Sequence, residues 1–230
     1  RGNSGVWLGG GVFVSSAARG ARVRNCAIVG NTIQHRGGGA YGGVLQNCTV
    51  IGNAAGETGG GTQESSNRNC IVYYNTVSGQ VQNVVSGACT YTCTWPNHGG
   101  TGNIDASPWL ISQDNVRLLS NSPCINAGSN ALSAGAVDLF GMPRTNSGVV
   151  DMGCVEFQGG SLTGAIQVAV AADYTNAVVG YGQTFQGIMG GEIGGYAWDF
   201  GDGTETSGVF TVSHTYGGAA YYPLVLRAWN

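Results

Sequence analysis

Short apolar segments recur between polar residues along the first third of the chain. The triplets Ala27–Val29, Thr49–Ile51 and Ile71–Tyr73 each follow an Asn-Cys pair, and a second asparagine comes two positions after each triplet. Equivalent residues of the three units are 22 positions apart. A unit this short cannot bury a core alone, so the fixed period predicts coils that stack into a solenoid.

The repeat predicts two columns of identical side chains, because equivalent residues of stacked parallel coils lie about 4.8 Å apart. The first column faces inward, since buried thiols behave as small hydrophobes; it consists of Cys26, Cys48 and Cys70. The second column lies where each short strand ends, and its amides hydrogen-bond their neighbours above and below. Its members are Asn31, Asn53 and Asn75.

Glycine triplets mark the corners between these segments. They occur at 37–39 and 59–61, again 22 residues apart, and at 9–11, one longer coil earlier. Such corners leave little room for side chains, which favours glycine. Two or three short strands per turn predict an all-β fold, a short right-handed parallel β-helix with about three to four coils between residue 1 and about residue 86.

The period is lost after Cys89, and residues 89–158 carry motifs that resemble a known family. These motifs are GTGNIDASPWL (100–110), RLLSNSPCINAG (117–128), DLFGMPR (138–144) and VDMGCVEF (150–157). Together with the Asn-Cys repeats they are similar to bacterial surface β-helix proteins of the pectin-lyase-like, choice-of-anchor Q type. The resemblance covers residues 1–158. It implies an extracellular location and an irregular cap region that belongs to the β-helix domain.

A second domain is expected after a Gly/Ser linker at 159–163, because alternating apolar and polar residues begin there. The segments GYAWDFGDGT (195–204) and SHTYGGAAYYPLVLRAWN (213–230) resemble the PKD domain. The resemblance implies an immunoglobulin-like β-sandwich over 164–230. Its predicted core residues are Trp198, Phe200, His214 and Tyr216.

Composition and charge narrow the range of partners. The chain has 42 glycines and five prolines without a collagen period, which agrees with a turn-rich β fold. A net charge of −3 with no basic stripe argues against nucleic acid binding. No apolar run is long enough to span a membrane. Because residue 1 is Arg1, without an initiator Met or a leader, we expect a processed product or a fragment.

The seven cysteines are an odd number, so at least one stays free or pairs between chains. The four outside the repeat are the disulfide candidates: Cys89, Cys93, Cys124 and Cys154. Spacing does not determine which of them pair. The family resemblance adds one specific pair, Cys124 with Cys154, because Cys154 stands where the family more often has a small residue.

The coils offer few residues for catalysis. Glycosidases need two facing carboxylates, and lyases need a basic residue beside calcium-binding acids. Glu57 and Glu64 are the acids of the coils, and they lie seven residues apart without counterparts in adjacent coils. The arginines Arg22, Arg24, Arg36 and Arg68 are scattered. No catalytic residues are predicted.

Metal binding has only weak candidates, and no cofactor is predicted. Cys89, Cys93 and His98 lack a fourth ligand for zinc. Asp199 and Asp202 lie on a tight turn where carboxylates could converge on calcium. We therefore regard calcium as an open alternative at that turn.

The sequence favours an extracellular, non-enzymatic structural or adhesive protein that associates end-on into filaments or a surface layer. The N-terminal coil should present unpaired strand edges, which template pairing with another chain. The alternative is a polysaccharide-binding module or a polysaccharide lyase or glycosidase. It gains if Glu57 or Glu64 aligns with Arg36 or Arg68 and with aromatic side chains. The aromatic candidates are Trp7, Trp95, Trp109, Tyr73 and Tyr74.

Overall fold

A computed structural model describes residues 1–15, 20–112, 115–159, 165–190 and 193–230. The protein is all-β, with 37% of its residues in strands and 1% in helix. It divides into two compact units. Unit 1 comprises Arg1–Pro108, Val116–Leu118 and Ser122–Gln158, and unit 2 comprises Trp109–Asn115, Leu119–Asn121 and Gly159–Asn230. Apart from Gly159, the predicted linker lies outside the described residues.

Unit 1 contains a parallel β-solenoid of about three turns. A full turn has four short strands, whereas the repeat predicted two or three. The first turn holds β1 (Ser4–Gly5), β2 (Val12–Phe13), β3 (Arg22–Arg24) and β4 (Ala27–Val29). The second holds β5 (Thr32–Ile33), β6 (Ala40–Tyr41), β7 (Val44–Gln46) and β8 (Thr49–Ile51). The third holds β9 (Ala54–Ala55), β10 (Thr62–Gln63), β11 (Ser66–Arg68) and β12 (Ile71–Tyr73). The remaining strands are β13 (Thr76–Val77), β14 (Gln80–Val81), β15 (Val84–Val85) and β16 (Cys89–Thr90).

The additional corner of each turn lies at the asparagine of the Asn-Cys pair. The backbone φ is 49° at Asn25, 48° at Asn47 and 49° at Asn69. Asparagine adopts this left-handed conformation more readily than most residues. The three asparagines therefore separate the third strand of each turn from the fourth, which explains the extra strand.

Successive turns pair in parallel and in register. Ile28 lies opposite Val50, and Val50 lies opposite Val72, so the 22-residue period is the register of the stack. Val12 pairs with Ala40, which is 28 positions away, whereas Arg22 pairs with Val44, which is 22 positions away, so the first turn has six additional residues between β2 and β3. Hydrogen bonds from Gly10 to Gly37 O at 2.9 Å and from Gly11 to Gly39 O at 3.0 Å join the glycine corners of these two turns.

Four sheets run along the solenoid. Their strand orders are β1-β5-β9-β13-β14, β2-β6-β10-β15, β3-β7-β11-β16 and β4-β8-β12. Among the described strands, those of the first turn are outermost at one end, and we call this end the first-turn edge. At the other end β14 folds back antiparallel on β13. We call β14–β16 together with residues 91–104 the far end.

The core lies between the sheets. It is formed by small side chains that point inward from equivalent positions of successive turns. Its fully buried members include Leu45, Cys48, Val50, Cys70 and Val72. Burial of one aliphatic side chain of this size stabilises the fold by about 1.5–3 kcal/mol. The repeat therefore holds the coils together through a continuous apolar column.

We call residues 122–158 the strap. Its first part runs back along the stack from the third turn to the first, and its last part returns to the third turn, where Gly153 N donates to Asn69 O at 2.8 Å. The strap has a 3₁₀ helix at Asn130–Leu132 and a bridge between Val137 and Pro143. It binds the corner asparagines in reverse order of the turns. The contacts are Ser129 with Asn69, Ala134 with Asn47, and Val137 with Asn25.

Unit 2 consists of two three-stranded antiparallel sheets around a shared apolar cluster. The strands are β17 (Gln167–Ala172), β18 (Gly182–Gly190), β19 (Gly195–Asp199), β20 (Glu205–Ser207), β21 (Thr211–Thr215) and β22 (Val225–Trp229). Their orders are β17-β18-β21 and β20-β19-β22. Phe185 on one sheet packs with Trp198 on the other and with Phe200, which follows β19. Membership of the PKD family stays a prediction.

Candidate functional site

The first-turn edge exposes backbone hydrogen-bonding groups together with large apolar side chains. Among the described strands, β1, β2, β3 and β4 each pair on one side only. The exposed side chains beside them include Val6, Leu8, Trp7 at 71% and Phe13 at 52% exposure. A free strand edge is a template for another β segment. Burial of an adjoining apolar rim would favour such a contact further.

An asparagine ladder runs through the stack to this edge. In each rung the backbone N–H and the side-chain Nδ2 of one asparagine donate to Oδ1 of the next. The distances are 2.9 and 2.8 Å from Asn31 to Asn53, and 3.0 and 2.9 Å from Asn53 to Asn75. Asn75 donates in the same way to Asn83, and Asn3 donates to Asn31. All rungs point in one direction, and Oδ1 of Asn3 accepts no hydrogen bond from the described residues.

Beside the ladder, one surface column joins an aromatic stack to a carboxylate. Trp7 stacks on His35 with ring centroids 4.5 Å apart and an interplanar angle of 4°. His35 Nδ1 lies 2.5 Å from Glu57 Oε1, and Arg36 Nε donates to Glu57 Oε2 at 3.3 Å. The hydrogen bond from His35, and then that from Arg36, lowers the pKa of Glu57. The column thus carries a stable carboxylate anion at the surface.

A second column lies across the next corner of the same turns. Phe13 and Tyr41 have ring centroids 6.0 Å apart, and the Tyr41 hydroxyl donates to Glu64 Oε1 at 2.7 Å. The bond to Glu64 raises the pKa of Tyr41. With Leu8 these side chains line a groove of about 540 Å³, to which Gly42 also contributes.

The two candidate acids, Glu57 and Glu64, lie in different columns. Glu57 lies beside Arg36 and the stacked aromatic rings, whereas Glu64 is bound by Tyr41 and has no ion pair with Arg68. A general acid needs a raised pKa, and that of Glu57 is lowered. The columns are therefore suited to binding through stacking, charge and hydrogen bonds.

A buried charged cluster fastens the strap to the first turn. Arg144 is 1% exposed, and its Nη2 donates to Asn25 Oδ1 at 2.5 Å and to Cys154 O at 3.1 Å. Its Nη1 donates to Gly153 O at 3.0 Å and lies 3.8 Å from Glu156 Oε2. The guanidinium thus joins the strap to a corner asparagine of the stack.

The carboxyls around Arg144 outnumber this one cation. Asp151 N donates to Glu156 Oε2 at 3.1 Å, and Glu156 N donates to Asp138 Oδ2 at 3.0 Å. Burial raises the pKa of Glu156 to about 7, and the charge of Asp151 adds to this increase. Burial also raises the pKa of Asp151 and lowers that of Arg144. The cluster is closed to solvent and makes a structural lock.

The disulfides predicted among Cys89, Cys93, Cys124 and Cys154 are not formed, and all seven cysteines are free thiols. The predicted pair of Cys124 with Cys154 is absent because each has other neighbours. Cys154 packs on Thr49, whose Oγ1 accepts a hydrogen bond from Cys154 N at 3.0 Å. Cys124 N donates to Ser122 Oγ at 3.2 Å, and Asn67 Nδ2 lies 3.7 Å from Cys89 Sγ.

The repeat cysteines lie in one column inside the solenoid. Cys48 and Cys70 are fully buried, and Cys26 is half-buried. Cys26 Sγ donates to Arg24 O at 3.0 Å, and Cys70 Sγ donates to Arg68 O at 3.2 Å. Hydrogen bonding to Cys48 and burial raise the pKa of Cys26 far above its usual range.

In unit 2 the two calcium candidates bind protein groups. Asp199 Oδ2 accepts a hydrogen bond from Arg227 at 3.0 Å. Asp202 Oδ2 lies 2.7 Å from His214 Nε2, and Asp202 Oδ1 accepts a hydrogen bond from the Thr204 hydroxyl at 2.6 Å. Thr204 and then His214 lower the pKa of Asp202 to about 2. Both carboxylates therefore have positively charged or hydroxyl partners within the protein.

The predicted core residues of unit 2 occupy two environments. Trp198 and Phe200 are buried, and Trp198 Nε1 donates to Val209 O at 2.8 Å. His214 and Tyr216 are half-buried; His214 stacks on Phe200 at 4.1 Å, and the Tyr216 hydroxyl donates to Phe200 O at 3.1 Å.

The zinc candidates Cys89, Cys93 and His98 contact different groups. His98 Nε2 lies 3.2 Å from Gly87 O, whereas Cys93 Sγ donates to Ala106 O at 3.3 Å. Within the described ranges no group of three or more His, Cys, Asp or Glu side chains is arranged to hold a metal ion. The same residues include no helix with the length and apolar character needed to cross a membrane.

Sequence reasoning missed the residues by which the strap binds the stack. The corner asparagines belonged to the repeat, but their partners at Ser129 and Ala134 lie in a segment without a period. The available signal was the pairing of Asp138 and Arg144 in one short motif with Asp151 and Glu156 in the next. Comparison with protein-family models, with curated proteins and with solved structures gives no match for this chain.

Proposed function

We propose that this protein is an extracellular structural or adhesive β-solenoid that associates end-on with other copies of itself. The observation that carries the proposal is the first-turn edge, where four strands pair on one side only within the described part of the chain, next to exposed Val6, Trp7, Leu8 and Phe13. Such an edge pairs readily with another β surface. The similarity of its motifs to bacterial surface β-helix proteins supports the extracellular location.

The direction of the asparagine ladder favours head-to-tail contact. At the first-turn edge Oδ1 of Asn3 accepts no hydrogen bond from the described residues, so a partner would bring donors to it. Two first-turn edges facing each other would oppose one acceptor with another. The far end of a second copy instead offers the outer edges of β14 and β15, with exposed Val81 and Trp95 beside them.

Head-to-tail contacts that do not close into a ring produce filaments. Each added copy would continue the sheets whose outer edges meet, and it would bury the apolar rims of two ends. The energy would come from the buried apolar area, at about 25 cal/mol per Å², and from the completed backbone hydrogen bonds.

Sedimentation velocity over a range of protein concentrations tests this proposal. The wild-type protein should form a concentration-dependent series of larger species. Phe13→Lys, which adds a charge to an edge strand, should remain monomeric. Tyr221→Lys is a matched control because Tyr221 is 92% exposed in unit 2. Identical distributions for the wild-type protein and Phe13→Lys would refute end-on association.

A second candidate function is polysaccharide binding in the groove beside Phe13 and Tyr41. It is favoured by the aromatic rings, the Glu64 carboxylate and the length of the groove across three turns. Sugar rings stack on aromatic faces, and carboxylates accept hydrogen bonds from sugar hydroxyls. A glycan array with wild-type protein and Tyr41→Ala tests it. Binding that is lost in the variant supports this function, and an array without any bound glycan eliminates it.

A further inference from the structure

A groove opens at one end of the two sheets of unit 2. It has a volume of about 530 Å³ and is lined by the start of β18, by residues between β17 and β18 and by residues between β21 and β22. The buried members of this lining include Gln183 and Phe185, at 6% and 4% exposure. Ligand sites in proteins are commonly clefts of this size, with aromatic walls and a few polar groups.

Tyrosine rings form walls of this cleft, which we call the tyrosine groove. Tyr216 stacks on Tyr222 with ring centroids 4.4 Å apart and an interplanar angle of 12°, and the Tyr216 hydroxyl donates to Phe200 O at 3.1 Å. Tyr174 and Tyr181 meet edge to face at 6.3 Å, and they are 56% and 52% exposed. None of the described residues that line the groove has a charged side chain. The groove therefore offers aromatic surface to an uncharged ligand.

The Gln183 side chain is buried in the tyrosine groove without a hydrogen-bond partner. Gln183 points to the same face of β18 as Phe185, since residues two positions apart on a strand share a face. Its backbone pairs with His214 in the sheet, but within the described ranges its side-chain amide makes no hydrogen bond. A buried amide without a partner costs free energy. A ligand in the groove can remove this cost by binding the amide.

We propose that the tyrosine groove binds a neutral oligosaccharide, with the Gln183 amide as its polar anchor. The amide has a donor at Nε2 and an acceptor at Oε1. Two neighbouring hydroxyls of a sugar ring match both groups, because each hydroxyl can donate and accept. The apolar face of the ring lies on a tyrosine, which combines an apolar body with a polar tip. The site lies in unit 2 and does not depend on end-on association, whereas the groove beside Phe13 and Tyr41 lies in unit 1.

The chemistry of the groove favours this ligand over two others. A proline-rich peptide also docks in aromatic grooves, but its prolines have no N–H and offer acceptors only. Gln183 Oε1 would then stay unpaired. An acidic oligosaccharide would bring carboxylates that no arginine or lysine of the described lining balances.

An array of neutral and acidic oligosaccharides, probed with the full chain, tests the proposal, and calorimetric titration of the bound glycan measures its affinity. We expect a neutral oligosaccharide to bind and Gln183→Leu to weaken binding at least about tenfold. Tyr181→Ala should weaken it as well. Gln186→Leu is the matched control, because Gln186 lies exposed on the same strand. Tyr41→Ala, in unit 1, should bind like the wild-type protein.

Thermal unfolding of the free protein separates lost binding from lost folding. Leucine is close to glutamine in size and has no amide to leave unpaired, so Gln183→Leu should not lower the midpoint of unfolding. A lowered midpoint would show that the protein itself satisfies the amide, and it would overturn the proposal. Binding of acidic glycans or of a proline-rich peptide alone, or no bound glycan, would overturn it too. So would sugar binding that is lost in Tyr41→Ala and kept in Gln183→Leu.

Discussion

Asn69 and Ser129 exchange two hydrogen bonds: Asn69 Nδ2 donates to Ser129 O at 2.9 Å, and Ser129 N donates to Asn69 Oδ1 at 2.8 Å. Asn69 is a corner residue of the third turn, and Ser129 belongs to the strap. The same asparagine thus turns the backbone of the repeat and binds the segment that covers it.

Substitution of Asn69 by glycine separates these two roles. Glycine keeps the left-handed backbone, which has a φ of 49° at this position, but it lacks the side-chain amide. We expect Asn69→Gly to lower the free energy of unfolding by about 1–2 kcal/mol, because two hydrogen bonds are lost. Hydrogen exchange should accelerate in residues 124–137 and remain slow in β7 and β8. Unchanged exchange in the strap would show that Asn69 does not hold it.

The asparagine ladder predicts a gradient of effects along the stack. Asn53→Ala removes the acceptor of two buried donors from Asn31, so it should cost about 2–4 kcal/mol in the free energy of unfolding. Asn3→Ala, at the exposed end of the ladder, should cost less than about 1 kcal/mol. Urea unfolding followed by circular dichroism measures both. Equal costs for the two variants would argue that the ladder adds nothing beyond local packing.

The buried charged cluster around Arg144 predicts that the free energy of unfolding of unit 1 falls as the pH rises from about 4.5 to 7. Glu156 faces Arg144, Asp151 and Asp138, and its pKa is raised from 4.5 to about 7. The folded state therefore keeps a proton that the unfolded state loses across this window, so folding becomes less favourable as the pH increases. The raised pKa of Asp151 acts in the same direction.

The change in the free energy of unfolding should be on the order of 1–3 kcal/mol. Glu156→Gln, which stays neutral, should flatten the dependence. Urea unfolding at pH 4.5, 5.5, 6.5 and 7.5 measures it for both proteins. A wild-type stability that rises across this range would contradict the role proposed for the buried charged cluster.

In unit 2 the contact of His214 with Asp202 predicts a measurable change in pKa. Thr204 and His214 together hold the pKa of Asp202 at about 2, below its usual 3.8. We expect His214→Gln to raise the pKa of Asp202. The single variant Thr204→Ala should raise it by more, because the hydrogen bond from Thr204 is the larger cause of the lowered pKa. Carboxyl ¹³C chemical shifts between pH 1.5 and 6 report the titration. If neither variant moved the pKa, a different cause would have to be found.

The columns of the solenoid could be predicted from the repeat, because a fixed period places residues of the same type at equivalent positions in successive coils. Asn53 and Cys48 each have counterparts one coil away, so their environment follows from their neighbours. The number of strands per turn did not follow, because the extra corner depends on a left-handed φ at Asn25, Asn47 and Asn69.

The path of the strap could not be predicted for a related reason. Its contacts join residues 60 to 119 positions apart and do not recur with any period. Hydropathy would also place Arg144 at the surface, because a charged side chain is buried only where several groups accept its hydrogen bonds or balance its charge. Asn25, Gly153 and Cys154 supply those acceptors, and the sequence does not indicate that they meet.

Electron microscopy of the purified protein at high concentration tests end-on association most directly. The account predicts unbranched filaments whose axial repeat is one subunit, with the first-turn edge of one copy against the far end of the next. The filaments should be absent in Phe13→Lys and present in Tyr221→Lys. Single, separate particles for the wild-type protein, or filaments in which the first-turn edge remains free, would contradict it.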